Sequence, residues 1–257
     1  MKSTRTLTRR SLGVGIATVL MVVPPAHAQA GVSAAKWADS LSREIDKANL
    51  SGDAAKLDSA AALADRAATA FPTDGLILHY LGYALYRQGM TQMARGAEAQ
   101  FYLTRALSVL DQSLKTHPLA ESHMLMATMD GVLIGTNPSR AMELGMASQG
   151  SSAAAEALGP NNPRVWLLRG QGALFAPPEY GGGLPTAEAQ LKRAVELFAK
   201  DAPKPGEPSW GRPEAYVWLG QVYEKKGDKV NAAAMYQQAL SVAPNFAYAK
   251  TLAGALR

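Results

Sequence analysis

Two prolines and three glycines fall within FAPPEYGGG, Phe175 to Gly183. A glycine-rich turn feeding a helix N-terminus can hold an anion on its backbone N–H groups. A nucleotide loop of that kind also needs a strand before it and a Lys-Ser/Thr pair closing it. Here the residues from Arg164 read as helix, and the nearest lysine, Lys192, lies far into the following helix. The stretch therefore reads as an inter-helix loop. Proline and glycine cost about 3 and about 1 kcal/mol in a helix interior, so the helix must end near Phe175. If a ligand meets this loop, Glu179 and Tyr180 are the groups to touch it.

Other chemistry-bearing types are scattered. Beyond the first 28 residues the histidines are His79, His117 and His123, and none has the spacing that puts two imidazoles on one helix face. Met146 to Gly150, MASQG, resembles a nucleophile elbow by letters only, with methionine for the first glycine and no strand before it. Ser33-Ala34-Ala35-Lys36 matches Ser-x-x-Lys without the companion motifs of the serine acylases. No carboxylate pair stands out as general acid and base. The expectation is a protein that is not an enzyme and uses no cofactor or metal.

The first 28 residues differ from the rest. Lys2, Arg5, Arg9 and Arg10 precede an apolar run from Leu12 to Val23, followed by Ala26-His27-Ala28. That order is a secretory signal, with cleavage expected after Ala28 and a mature domain over 29–257. Thr8-Arg9-Arg10-Ser11-Leu12 fits a twin-arginine signal or an ordinary Sec signal with adjacent arginines. The apolar run is too short to span a bilayer. With no cysteine, lipid anchoring, disulfides and thiolate metal sites are excluded. A periplasmic or secreted location follows.

The net charge of +5 is largely a property of that segment. It holds four of the 26 basic residues and no acidic one, leaving 22 basic against 21 acidic residues. Without a basic excess, no nucleic-acid partner is expected.

The elements that must position any site are repeats. In Ala215 to Pro244, AYVWLGQVYEKKGDKVNAAAMYQQALSVAP, large Tyr216, Leu219, Tyr223 and Tyr236 alternate with small Gly220, Ala232 and Ala239. Residues three and four apart share a helix face. Two helices turned at Gly227-Asp228 can thus pack, small residues where the backbones approach and large ones filling beside them. A small residue with proline twelve on recurs at Ala60/Pro72, Ala106/Pro118, Ser148/Pro160 and Ala232/Pro244. A further unit lies between, with Trp166, Gly170, Ala187, Leu191 and Ala194.

The spacing Tyr216-x2-Leu219-Gly220-x2-Tyr223, Ala232-x3-Tyr236, Pro244 resembles the tetratricopeptide repeat. The resemblance covers almost the whole mature chain as about five antiparallel helix hairpins, at 37–72, 74–118, 119–160, 163–200 and 213–244. A closing helix from Phe246 to Leu256 covers the last apolar face. The expected fold class is all-α, a right-handed α-solenoid with a C-terminal capping helix. Twelve extra residues between Leu85 and Ala106, and the proline-rich connector KDAPKPGEPSWGRP, Lys200 to Pro213, lengthen the repeat.

In such arrays the first helix of each hairpin lines the inner surface, and the resemblance implies that its outward residues meet ligands. Those residues are His79, Tyr83, Tyr86 and Arg87, then Arg164, Leu167, Gln171 and Phe175, then Val217, Gln221, Glu224 and Lys225. Aromatics mixed with Arg, Gln and Glu suit an extended peptide. The expectation is an exported adaptor that holds a protein or peptide partner on its concave face. The alternative is a periplasmic solute-binding component, of the kind that serves a transporter, with a small-molecule pocket near the 175–183 loop.

Overall fold

A computed structural model describes residues 33–256; the expected signal, 1–28, lies outside the described residues. Eleven α-helices follow in order among them: α1 (Ala34–Ser51), α2 (Ala54–Ala70), α3 (Gly75–Thr91), α4 (Ala97–Thr116), α5 (Ala120–Thr136), α6 (Ala141–Leu158), α7 (Pro163–Phe175), α8 (Leu184–Phe198), α9 (Arg212–Lys225), α10 (Lys229–Val242) and α11 (Ala247–Ala255). They pair as α1/α2, α3/α4, α5/α6, α7/α8 and α9/α10, with α11 closing on α10. The expected hairpins are all present, each within a few residues of its expected ends.

Local chemistry sets those ends. Asp53 accepts from the amides of Ala55 and Lys56, Asp74 from Leu76 and Ile77, and Asn162 from Arg164. Each cap satisfies donors that the first turn leaves free, worth about 1 kcal/mol. Pro163, Pro185 and Pro213 occupy first turns, where a missing N–H costs nothing.

Small residues sit where helices touch. A Cβ on Gly82 would come within 2.5 Å of Leu110, one on Gly170 within 2.6 Å of Leu191, and one on Gly220 within 2.5 Å of Tyr236. The three contacts are equivalent positions of three hairpins. The extra residues between Leu85 and Ala106 lengthen helices: α3 and α4 have 17 and 20 residues where α9 and α10 have 14 each. Gly89 against Leu103 is the added layer of contact.

The array bends until its ends meet. Leu50 of α1 packs with Val217, Phe246 and Ala249, and a Cβ on Gly52 would lie 3.1 Å from that of Ala247. The inside of this bend is occupied. The connector 199–211, a strap across the bend, fills it, and from Gly206 to Trp210 every second residue is buried.

Candidate partner-binding face

The inner face divides into a covered half and an open ledge. In the covered half the strap lies on α1, α3 and α7. Tyr80 donates its hydroxyl to the Gly206 carbonyl at 2.8 Å, Ser42 and Ser209 share a 3.0 Å hydrogen bond, and Arg164 donates to both oxygens of Asp201 at 3.3 and 2.7 Å. Trp210, 1% exposed, stacks on Tyr83 with ring centroids 4.7 Å apart and planes inclined by 15°. The Arg87 and Arg164 guanidinium carbons lie 5.8 and 5.9 Å from its ring centre. An indole near two cations gains from its quadrupole as well as from burial.

Beneath Trp210 is a polar cluster. Arg87 is ion-paired with Glu214 and donates to the Tyr83 hydroxyl at 2.9 Å, and Asn49 donates to the same Glu214 carboxylate at 3.4 Å. Asp46 of α1 faces the cluster. Burial, with Glu214 adding to it, pushes its carboxyl up to about 7 against the pull of Arg87 and Arg164. The buried Oδ1 of Asp46, Oε2 of Glu214, Nε of Arg87 and Nε1 of Trp210 have no hydrogen-bond partner among the described residues. Burial likewise drives the Tyr83 hydroxyl well above its ordinary range.

Of the residues expected to meet ligands, His79, Tyr83, Tyr86, Arg87 and Arg164 thus do not form an open surface. His79, Tyr83 and Tyr86 are at most 1% exposed and Arg164 is 2% exposed; Leu167 packs under Gly211 of the strap. The physical reason is that Trp210 and Pro208 of the connector have more to gain inside the bend than in water. His79 shares a 2.8 Å hydrogen bond with Ser122, and burial lowers its imidazole to about 3. Both residues are sealed from solvent, so this Ser-His pair reaches no substrate.

The open ledge lies on α7, α9 and α11. Phe175, 69% exposed, meets the Trp218 ring edge-on at 6.0 Å. Gln171 lies against the Tyr86 hydroxyl at the border with the covered half. Gln221 donates to the Tyr248 hydroxyl at 3.0 Å, and Tyr236 donates to Glu224 at 2.7 Å. Lys225 is exposed, with no ion-pair partner among the described residues. Glu179 and Tyr180 are exposed on the neighbouring loop.

That loop uses its own donors. The Gly183 amide donates to the carbonyls of Ala173 and Ala176, and Gly182 and Gly181 donate to Pro177 and Pro178. Gly181 and Gly183 have φ of 80° and 94°, values that favour glycine. A Cβ on Gly182 would lie 1.9 Å from the Ala176 oxygen. The glycine run closes a turn, and its amides are spent inside that turn. Two clefts of about 360 and 390 Å³ lie elsewhere, one between α1 and the α2–α3 turn, the other between the strap and the α4–α5 and α6–α7 turns; neither touches 175–183.

Residues 213–246 match the tetratricopeptide repeat family model. Among solved structures, the HusA haemophore from Porphyromonas gingivalis superposes with a TM-score of 0.64 at 21% identity, covering 76% of this chain and 96% of that one. A thermophilic tetratricopeptide protein from Thermus thermophilus gives 0.56 at 21% identity, covering 79% and 91%. The chain folds as a tetratricopeptide repeat protein. No curated protein matches it. A tetratricopeptide array is in general a protein-interaction scaffold and typically carries no catalytic centre.

Within this tetratricopeptide array, sequence reasoning missed Trp210, Trp218, Tyr248, Asp46 and Glu214. Trp218 stands one position from Val217, which turns away from the ledge to pack on Phe246 and Ala249. The strap carried a legible signal: Gly206, Pro208 and Trp210 alternate inward in an otherwise polar connector, the period of an extended segment with one face buried.

Proposed function

We propose that the protein is an exported scaffold that holds a protein or peptide partner on its inner face, at the ledge of Gln171, Phe175, Trp218, Gln221, Lys225 and Tyr248. The observation that carries this reading is the exposed Phe175 ring set edge-on to Trp218 across two successive hairpins. Paired aromatics beside amide and ammonium groups supply apolar anchoring and hydrogen bonding together, as an extended peptide requires. Export rests on the signal at 1–28, and it puts the partner in the periplasm or outside the cell.

Photo-crosslinking tests this. A benzophenone amino acid at Phe175 should yield one defined protein adduct in envelope extract, whereas the same group at Phe101, 63% exposed on α4, should yield none. Equal labelling from both positions, or from neither, contradicts the ledge assignment. Because one protein of similar fold is a haemophore, the purified chain is also titrated with haem. A tight, saturable Soret shift would replace the scaffold by the solute-binding alternative.

A further inference from the structure

The larger of the two clefts, about 390 Å³, opens where the strap crosses the α4–α5 and α6–α7 turns. Much of its lining is apolar: Leu119, Leu158, Pro163 and Pro203 contribute to it, and Leu158 is 51% exposed. Its ionisable lining is Glu121, Arg164, Asp201 and Glu207, three carboxylates against one guanidinium. That guanidinium is already engaged, because Arg164 gives both terminal nitrogens to Asp201. Glu121 and Glu207 therefore have no ion pair among the described residues.

Glu121 stands in the first turn of α5 and is 5% exposed. Its Oε1 accepts from Asn162 Nδ2 at 2.7 Å, whereas Oε2 has no hydrogen bond among the described residues and is open on the cleft side. A buried carboxylate held by one neutral amide is poorly compensated. Glu214, just as buried, is by contrast paired with Arg87. The first turn of α5 has no side-chain cap, and the negative charge its amides favour is supplied by Glu121 itself. An anion entering the cleft meets three carboxylates, and a cation meets two that are unmatched. The carboxylates are not gathered into a group that could hold a metal ion.

We propose that this cleft binds an aliphatic diamine, one ammonium on Glu121 Oε2, the alkyl stem along Leu119, Leu158 and Pro203, and the second ammonium toward Glu207. Two unmatched carboxylates call for two positive charges, and the apolar walls call for a hydrocarbon stem joining them. The site is separate from the ledge of Phe175 and Trp218 and does not depend on the scaffold reading.

Calorimetric titration of the processed chain with cadaverine tests this. Binding should saturate at a single site and weaken at least about tenfold in Glu121→Gln, which keeps the acceptor for Asn162, and at least about threefold in Glu207→Gln. Pentylamine, with one ammonium, should bind at least about tenfold more weakly than cadaverine, and inorganic phosphate should not bind. In amide NMR spectra of the wild-type chain, cadaverine should shift the Asn162 side-chain signal and leave that of Gln221 on the ledge unmoved. Absence of saturable binding, undiminished binding to Glu121→Gln, or equal affinity for pentylamine overturns the proposal. A shift at Gln221 in place of Asn162, or saturable binding of phosphate, overturns it too.

Discussion

The covered half and the open ledge are built from the same helix positions, yet one is core and the other is surface. On α3, Tyr83 is buried and Arg87 lies against Trp210; on α7 and α9, the matching Gln171, Phe175, Gln221 and Lys225 reach solvent. The difference is made by the strap, a segment outside the repeat itself. In a curved array, then, a position on the first helix of a hairpin says which way a side chain points, and a connector decides whether it is available.

Breaking the covered half should cost most. Trp210→Ala removes the ring that fills the bend and should destabilise the fold by about 3–5 kcal/mol in urea denaturation, the range for large aromatic truncations. A loss below about 1 kcal/mol would mean the strap is a passive covering.

Two glycines of α7, two residues apart, sharpen the contrast between contact and exposure. Gly170→Ala forces a methyl against Leu191, side chain and backbone, and should cost about 1–3 kcal/mol. Gly172→Ala meets no atom within 4 Å and should stabilise by up to about 1 kcal/mol through helix propensity. Equal effects on thermal unfolding would contradict the packing.

The pH dependence of global stability separates the two buried ionisable groups. Asp46 sits at about 7 when folded against an ordinary 3.8, so the folded state binds more protons and stability falls as pH rises from about 4 to about 7. His79 sits at about 3 against 6.5, so the unfolded state binds more protons and stability rises from about 3 to about 6.5. These opposing slopes, each up to about 1.4 kcal/mol per pH unit, offset each other in wild type. Asp46→Asn should expose the His79 slope, visible as greater acid lability relative to pH 7; unchanged pH dependence would contradict the Asp46 environment.

The smallest effect belongs to the ledge. Phe175→Ala should change stability by less than about 0.5 kcal/mol, because the ring is mostly in solvent, while weakening partner capture at least about tenfold. Loss of stability with retained capture would move the anchor elsewhere.

The repeat itself was legible in the sequence because close packing leaves a local mark. Gly82, Gly170 and Gly220 are small where a facing side chain arrives, and that need recurs at fixed spacing. The proline-glycine loop after Phe175 was legible for the same reason, since breakers act within a turn. The covered half was legible only as the alternation of Gly206, Pro208 and Trp210 within the connector, because Trp210 reaches Tyr83 over more than a hundred residues of chain and no helical period reports that contact. Asp46 looked like one more carboxylate on a surface helix until Glu214, Arg87 and Arg164 were brought near it.

Because the protein contains no cysteine, single introduced thiols read the central division directly. Ser42→Cys, beneath Ser209 of the strap, should react with a thiol reagent at least about a hundredfold more slowly than Phe175→Cys on the ledge at pH 7, since a buried thiol reacts only through opening. Comparable rates in two folded variants would show the inner face to be open along its whole length, contradicting the division into a covered half and a ledge.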